Sequence, residues 1–153
     1  MKTSPSSTTT PDSGDSGPAP GWLAHYPAHP TAPGRARREV ALVLRTWKLE
    51  ALVDTARLLV SELVTNAVTH TGSRRIGVAV VRTTGTSVRV MVLDTDRSRR
   101  KVPPPARPGF EETSGRGLLL VDALADRWGV EHVATGKRVW CDLDTGGPGA
   151  AAR

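Results

Sequence analysis

Glu62 and Asn66 stand four residues apart in Ser61-Glu62-Leu63-Val64-Thr65-Asn66-Ala67-Val68-Thr69-His70, so on a helix they share one face, a turn apart. A carboxylate beside a carboxamide, flanked by apolar residues, can supply a general base and a hard oxygen ligand for magnesium. The same spacing also describes a solvated polar pair. Asp94 directly follows the apolar run ending Val92-Leu93, where a side chain leaves a sheet and can accept a hydrogen bond from an exocyclic amine such as that of adenine. A turn aspartate has the same signature. Gly115 and Gly117 let a backbone approach a ligand closely, and the N–H groups of a helix opening there favour phosphate. Gly-x-Gly is also common in plain loops, and neither a Walker-type nor a full Rossmann glycine pattern is present.

Other polar groups are weaker candidates. His25 and His29 are four apart, but Pro27 and Pro30 prevent the helix that would align them on a metal, so they read as linker residues. His70 lies one turn beyond Asn66, at the edge of any site built there. Arg97, Arg99, Arg100 and Lys101, with Arg107 nearby, form a basic cluster that suits phosphates, an acidic partner or simple solvation.

The elements that must carry these residues follow from hydrophobic period. Val40, Leu44 and Trp47 predict a first helix from Arg35. Asp54 offers an N-cap to a second, with Leu58, Leu59, Leu63, Ala67 and Val68 along it and Gly72 beyond its end. Two strands, Ile76 to Arg82 and Val88 to Leu93, are joined across Thr83–Thr86. After a proline-rich loop, Val102 to Pro108, a third helix places Leu120, Val121, Leu124 and Trp128 on one face and stops at Gly129. Two short strands, Glu131 to Ala134 and Lys137 to Leu143, turn at Thr135-Gly136. Helices beside an antiparallel-rich sheet predict a two-layer α/β sandwich: a mixed, mainly antiparallel sheet with three helices on one face.

Composition sets the frame. The chain has 153 residues, 38% of them hydrophobic and 24% charged, enough apolar material for a modest core in a single domain. Residues 1–33 are rich in Ser, Thr, Pro and Gly and are expected to form a disordered tail, residues 34–144 the domain, and residues 145–153 a frayed end. The longest apolar runs, Val40–Leu44 and Leu118–Val121, are far shorter than the roughly 18 residues that cross a bilayer. No export signal is read at the start, and Cys141 is the single cysteine, so the expected location is cytoplasmic without a membrane. The net charge of +6, from 21 basic residues of which 17 are arginine, invites nucleic-acid binding. The positives are scattered and lack interleaved aromatics, so direct nucleic-acid contact is not expected.

Taken in order, these pieces resemble the histidine-kinase-like ATPases, the GHKL superfamily, over about residues 35 to 143. Within it the chain is most similar to the short bacterial regulators related to anti-sigma-factor serine/threonine kinases. The likeness rests on Ser61-Glu62-Leu63-Val64-Thr65-Asn66-Ala67-Val68, on Gly115-Arg116-Gly117-Leu118 and on Gly136-Lys137-Arg138-Val139-Trp140. The resemblance implies ATP and Mg²⁺ as cofactors, with Asn66 binding the metal that bridges the phosphates and Glu62 activating the attacking hydroxyl or water. It assigns Asp94 to the adenine amine, and Gly115, Arg116 and Gly117 to a lid whose mobile part is the loop Asp96–Thr113. As partners it implies a sigma factor and a small antagonist protein, and it makes a homodimer a further expectation. Where the superfamily has Asp-x-Gly-x-Gly, this chain reads Asp94-Thr95-Asp96-Arg97-Ser98, with both glycine positions filled. That departure favours an alternative, a nucleotide-sensing module that binds a partner but transfers nothing.

Overall fold

Alternation of valines with polar or larger residues fixes which side of each central strand is buried. A computed structural model describes residues 20–70, 74–94, 115–133 and 136–146, at 115–118 the backbone alone. Its elements run β1 (Gly21–Pro27), α1 (Ala32–Thr46), α2 (Val53–His70), β2 (Arg75–Thr84), β3 (Ser87–Asp94), α3 (Gly115–Leu124), β4 (Arg127–Val133) and β5 (Gly136–Asp144). Among these residues the strands form one sheet in the order β1-β2-β3-β5-β4. Every pairing between neighbours is antiparallel, in keeping with the mainly antiparallel sheet expected from the sequence, with no parallel pair among the described strands. No described helix is long and apolar enough to cross a membrane.

The register puts Val78 opposite Val92, Val80 opposite Val90 and Cys141 opposite Val90, and all of these are buried. They meet Val40 and Leu44 of α1 and Leu59, Val60, Leu63 and Val64 of α2 in one continuous core. α1 packs along α2, and α2 packs on β2, β3 and α3, so the helices occupy one side of the sheet. The alternate residues, among them Arg89, Met91, Trp140 and Asp142, belong to the other face.

Four sequence expectations are corrected. Gly21–Pro27, assigned to the tail, is a strand paired with β2 along its whole length; Tyr26 is buried and Trp22 and Ala24 are half-buried on the core side. The surrounding Pro, Ser and Thr composition hid this period-two pattern. α1 begins at Ala32 rather than Arg35, because Pro33 sits in the first turn, where no N–H is needed. α2 begins at Val53, after a single 3₁₀ turn at Glu50–Leu52, so Asp54 lies in the first turn rather than at the cap and its charge suits the helix dipole there. The third helix ends at Leu124: Trp128 and Gly129 belong to β4, with Trp128 opposite Cys141. Leu120, Leu124 and Trp128 mimic a helical stripe, but Asp126 N–H already donates to Asp142 O and starts the ladder. Residues 1–19, Gly72, the loop Val102–Pro108, Ala134–Thr135 and 147–153 lie outside the described residues.

Two local contacts hold the fold's margins. Tyr26 Oη donates to Glu39 Oε1 at 2.6 Å, and the Arg35 guanidinium lies over its ring at 5.3 Å, which ties β1 to α1. On the open face Arg89 stacks on the Trp140 ring at 4.0 Å while pairing with Asp142, which also holds Arg127. Trp140 in turn lies across Gly129, where a Cβ would come within 2.8 Å of the indole. Gly129→Ala is expected to lower stability by about 1–3 kcal/mol, seen as a lower denaturation midpoint in urea. Burial, reinforced by Glu39, pushes the Tyr26 phenol far above its ordinary range. Above about pH 10 the unfolded chain therefore releases a proton that the folded one retains, so stability is full below that pH and falls as pH rises past it. Tyr26→Phe should flatten that part of the stability–pH curve, measured by thermal unfolding between about pH 9 and 11.

Candidate functional site

The stripe Leu59-Leu63 on α2 is buried, and Glu62 and Asn66 run along its margin, each half-buried. Their position follows from the helix period, since 62 and 66 fall between the core-facing rows and the exposed rows carrying Thr65 and Thr69. Both polar heads thus stand at the rim of an apolar wall, where a carboxylate and a carboxamide retain access to solvent or ligand. Ser61, on the neighbouring row, accepts a hydrogen bond at Oγ from Arg37 Nη1 of α1 at 3.0 Å, which fixes the angle of this part of α2 against α1.

Asp94 is the last residue of β3 and half-buried. It continues the parity of Val88, Val90 and Val92, so it lies on the helix-covered side, opposite Ile76 on β2. α2 ends at His70 and β2 begins at Arg75, which brings the C-terminal half of α2, with Asn66, to the same end of the sandwich as Asp94. His70 is exposed at that helix end. α3 opens at Gly115 and ends at Leu124, close to the start of β4, which lies at the opposite sheet end beside Asp142. Gly115, Arg116 and Gly117 form its first turn; their backbone is helical, and the Arg116 side chain lies outside the description. The chain path therefore directs Asn66, one turn beyond Glu62 on α2, toward the sheet end that holds Asp94. The loop Asp96–Thr113, the altered box Thr95–Ser98 and the cluster Arg97, Arg99, Arg100, Lys101 and Arg107 lie outside the described residues.

One neighbour of this site escaped the sequence reading. Lys137 of β5 pairs with Asp94 in the ladder, and His132 of β4 pairs with Lys137, so two basic residues continue the row that begins at Asp94. The signal was there in Gly136-Lys137, because Gly136, at φ 146°, sets where β5 begins and hence its register with β3. Among the described residues no group of three or more His, Cys, Asp or Glu stands together. A magnesium ion here would take one protein oxygen, from Asn66, and complete its shell with nucleotide phosphate and water. That mode of binding is usual for this metal, and the oxygen donors at this end fit it.

The sheet and the helix layer beside it make a two-layer α/β sandwich, with Glu62 and Asn66 half-buried along the margin of α2 and Asp94 half-buried at the end of β3. The chain belongs to the histidine kinase-like ATPase domain family, whose model matches residues 26–142. An uncharacterized protein of Streptomyces coelicolor is 39% identical over 87 residues, covering 54% of this chain and 78% of that protein. The family's domains bind ATP, usually with Mg²⁺. The match begins at Tyr26, inside β1, in agreement with the corrected start of the fold.

The Arg37–Ser61 bond gives a direct test of how α1 steadies the site helix. In a double-mutant cycle of Arg37→Ala and Ser61→Ala, urea unfolding should yield a coupling of about 0.5–1.5 kcal/mol. A coupling near zero would mean the two helices are held by apolar packing alone.

Proposed function

We propose that this protein is an ATP-dependent serine/threonine protein kinase that acts as an anti-sigma factor, phosphorylating a small antagonist protein and sequestering a sigma factor in the cytoplasm. The observation that supports the reading is the placement of Asn66, one turn beyond Glu62 on α2, toward the sheet end that holds Asp94, within a histidine kinase-like ATPase domain. Asp94 accepts the adenine amino group, which orients the nucleotide with its phosphates toward α2 and α3. Asn66 offers its carboxamide oxygen to Mg²⁺, which when bound would neutralise phosphate charge. Glu62 takes the proton of the attacking serine or threonine hydroxyl as its oxygen bonds to the γ-phosphorus and the bond to ADP breaks. Gly115, Arg116 and Gly117 close over the phosphates, the helix N-terminus supplying N–H donors. Phosphoryl transfer asks for positioning and charge stabilisation more than for covalent chemistry, and these groups suffice for it.

A second reading is favoured by Asp96 and Ser98, which occupy both glycine positions of the superfamily box. There the protein binds ATP and a partner without transfer, and nucleotide occupancy alone is the signal.

Calorimetric titration of ATP with magnesium into the wild type, Asn66→Ala and Asp94→Asn decides whether the site works. Saturable binding by the wild type, weakened at least tenfold in both variants, is expected. Absence of binding by folded wild type at millimolar ATP would overturn both readings. With ATP and the antagonist protein present, Glu62→Ala should abolish transfer of labelled γ-phosphate while sparing ATP binding. Wild type that binds ATP and transfers nothing would leave the second reading.

A further inference from the structure

The row of side chains at the Asp94 end of the sheet holds one charge with no part in the proposed transfer. Across the strands, Tyr26, Ile76, Asp94, Lys137 and His132 stand opposite one another in register. Lys137 shares the parity of Cys141 and Leu143, which are buried under the helices, so its side chain leaves β5 on the same side as that of Asp94. Residues opposed in this way have β-carbons about 4.5–5.5 Å apart, which sets an ammonium on a flexible four-carbon stem beside a carboxylate. The other flank of Asp94 is Ile76, fully buried and apolar.

Lys137 is exposed, and among the described residues no hydrogen bond or ion pair engages its ammonium. Its neighbour Arg138 belongs to the opposite face, where Glu131 holds it. The Lys137 ammonium is therefore a donor within reach of whatever Asp94 binds. That changes which purine the site accepts. Adenine presents a 6-amino donor, which a carboxylate can take, whereas guanine presents an oxygen acceptor at the same place. A carboxylate flanked only by isoleucine would confront O6 with negative charge and leave it without a donor, and so would reject guanine. Guanine also carries N1–H and 2-amino donors beside O6. With a lysine next to the aspartate, O6 can accept from the ammonium while N1–H and the 2-amino group donate to the carboxylate. Every polar group on that edge is then matched, and O6 and N1–H are near neighbours on the base, so the shift from the adenine pose is small.

We propose that this site reads both purines: Lys137 donates to guanine O6 beside Asp94, so that GTP occupies the site as well as ATP. The inference rests on the nucleotide site proposed above and adds its base selectivity. When adenine is bound, Asp94 takes the amino group and the ammonium remains in water, so Lys137 contributes little to ATP affinity. When guanine is bound, the ammonium becomes the partner without which O6 would be stranded against a carboxylate. Selectivity thus lies in one side chain of β5, and the site's occupancy follows the sum of the two purine triphosphates.

Calorimetric titrations of the full chain with ATP and with GTP, each with magnesium, test this through binding alone. Wild type should bind GTP within tenfold of ATP. Lys137→Met keeps a long stem and removes the charge. It should weaken GTP at least tenfold and ATP less than threefold, and its retained ATP binding shows that the variant is folded. Lys137→Arg, whose guanidinium also pairs with guanine O6, should keep GTP binding. A wild type that binds ATP but binds GTP more than tenfold less tightly overturns the inference and leaves the ATP site standing. Equal weakening of both nucleotides by Lys137→Met also overturns it, because the ammonium would then serve the phosphates that the two share. A folded wild type that binds neither nucleotide overturns the site itself and this inference with it.

Discussion

Everything in this molecule depends on one apolar contact, the valine-lined side of β2 and β3 against α1 and α2. Among the described residues no charged side chain is buried, so this core has no internal polar network to align its parts. Orientation is imposed from the margins instead. Tyr26 reaches Glu39 across the β1–α1 seam, Arg37 reaches Ser61 across the α1–α2 seam, and Arg82 of β2 donates to the carbonyl of Trp47 beyond α1. Apolar burial supplies the cohesion, and these hydrogen bonds choose one arrangement among the several that would bury similar area.

That division explains where chemistry is possible. A core with no buried charge leaves its polar groups to the rim, and Glu62 and Asn66 are placed there by the helix period alone. Asp94 reaches the same rim through the strand period: three valines face the core before it, and the next residue of that parity is the aspartate. Two periods, 3.6 and 2, thus direct Asn66 and Asp94 toward one end of the sandwich. Lys137 and His132 extend the row because antiparallel pairing brings β5 and β4 alongside β3 at that end.

The central elements were legible in the sequence because their patterns are long and uninterrupted: α2, and the alternation in β2 and β3, which the structure extends by only a residue or two. β1 was not legible because seven residues of alternation are outweighed by the Pro, Ser and Thr around them, and because its partner, β2, lies some fifty residues away in the chain. Trp128 misled for a different reason. Its spacing from Leu124 is helical, yet the backbone had already joined β5 at Asp126, an interaction that no local pattern announces. The candidates Glu62, Asn66 and Asp94 rest on residue type and position, whereas the nearness of Lys137 to Asp94 required the register of a sheet whose last two strands are out of chain order.

The open face of the sheet carries a constraint of its own. Gly129 and Trp140 are opposite one another in the ladder, and the indole lies where a side chain of residue 129 would have to be. Positions 129 and 140 therefore share a single volume, which can be filled from either strand but not from both. Arg89 is stacked on the Trp140 ring and is oriented by Asp142, so these four positions form one contact unit. Relatives that place a side chain at the position of Gly129 would need a small residue opposite it and would lose the platform for the arginine, a covariation that an alignment of the family would display as linked columns.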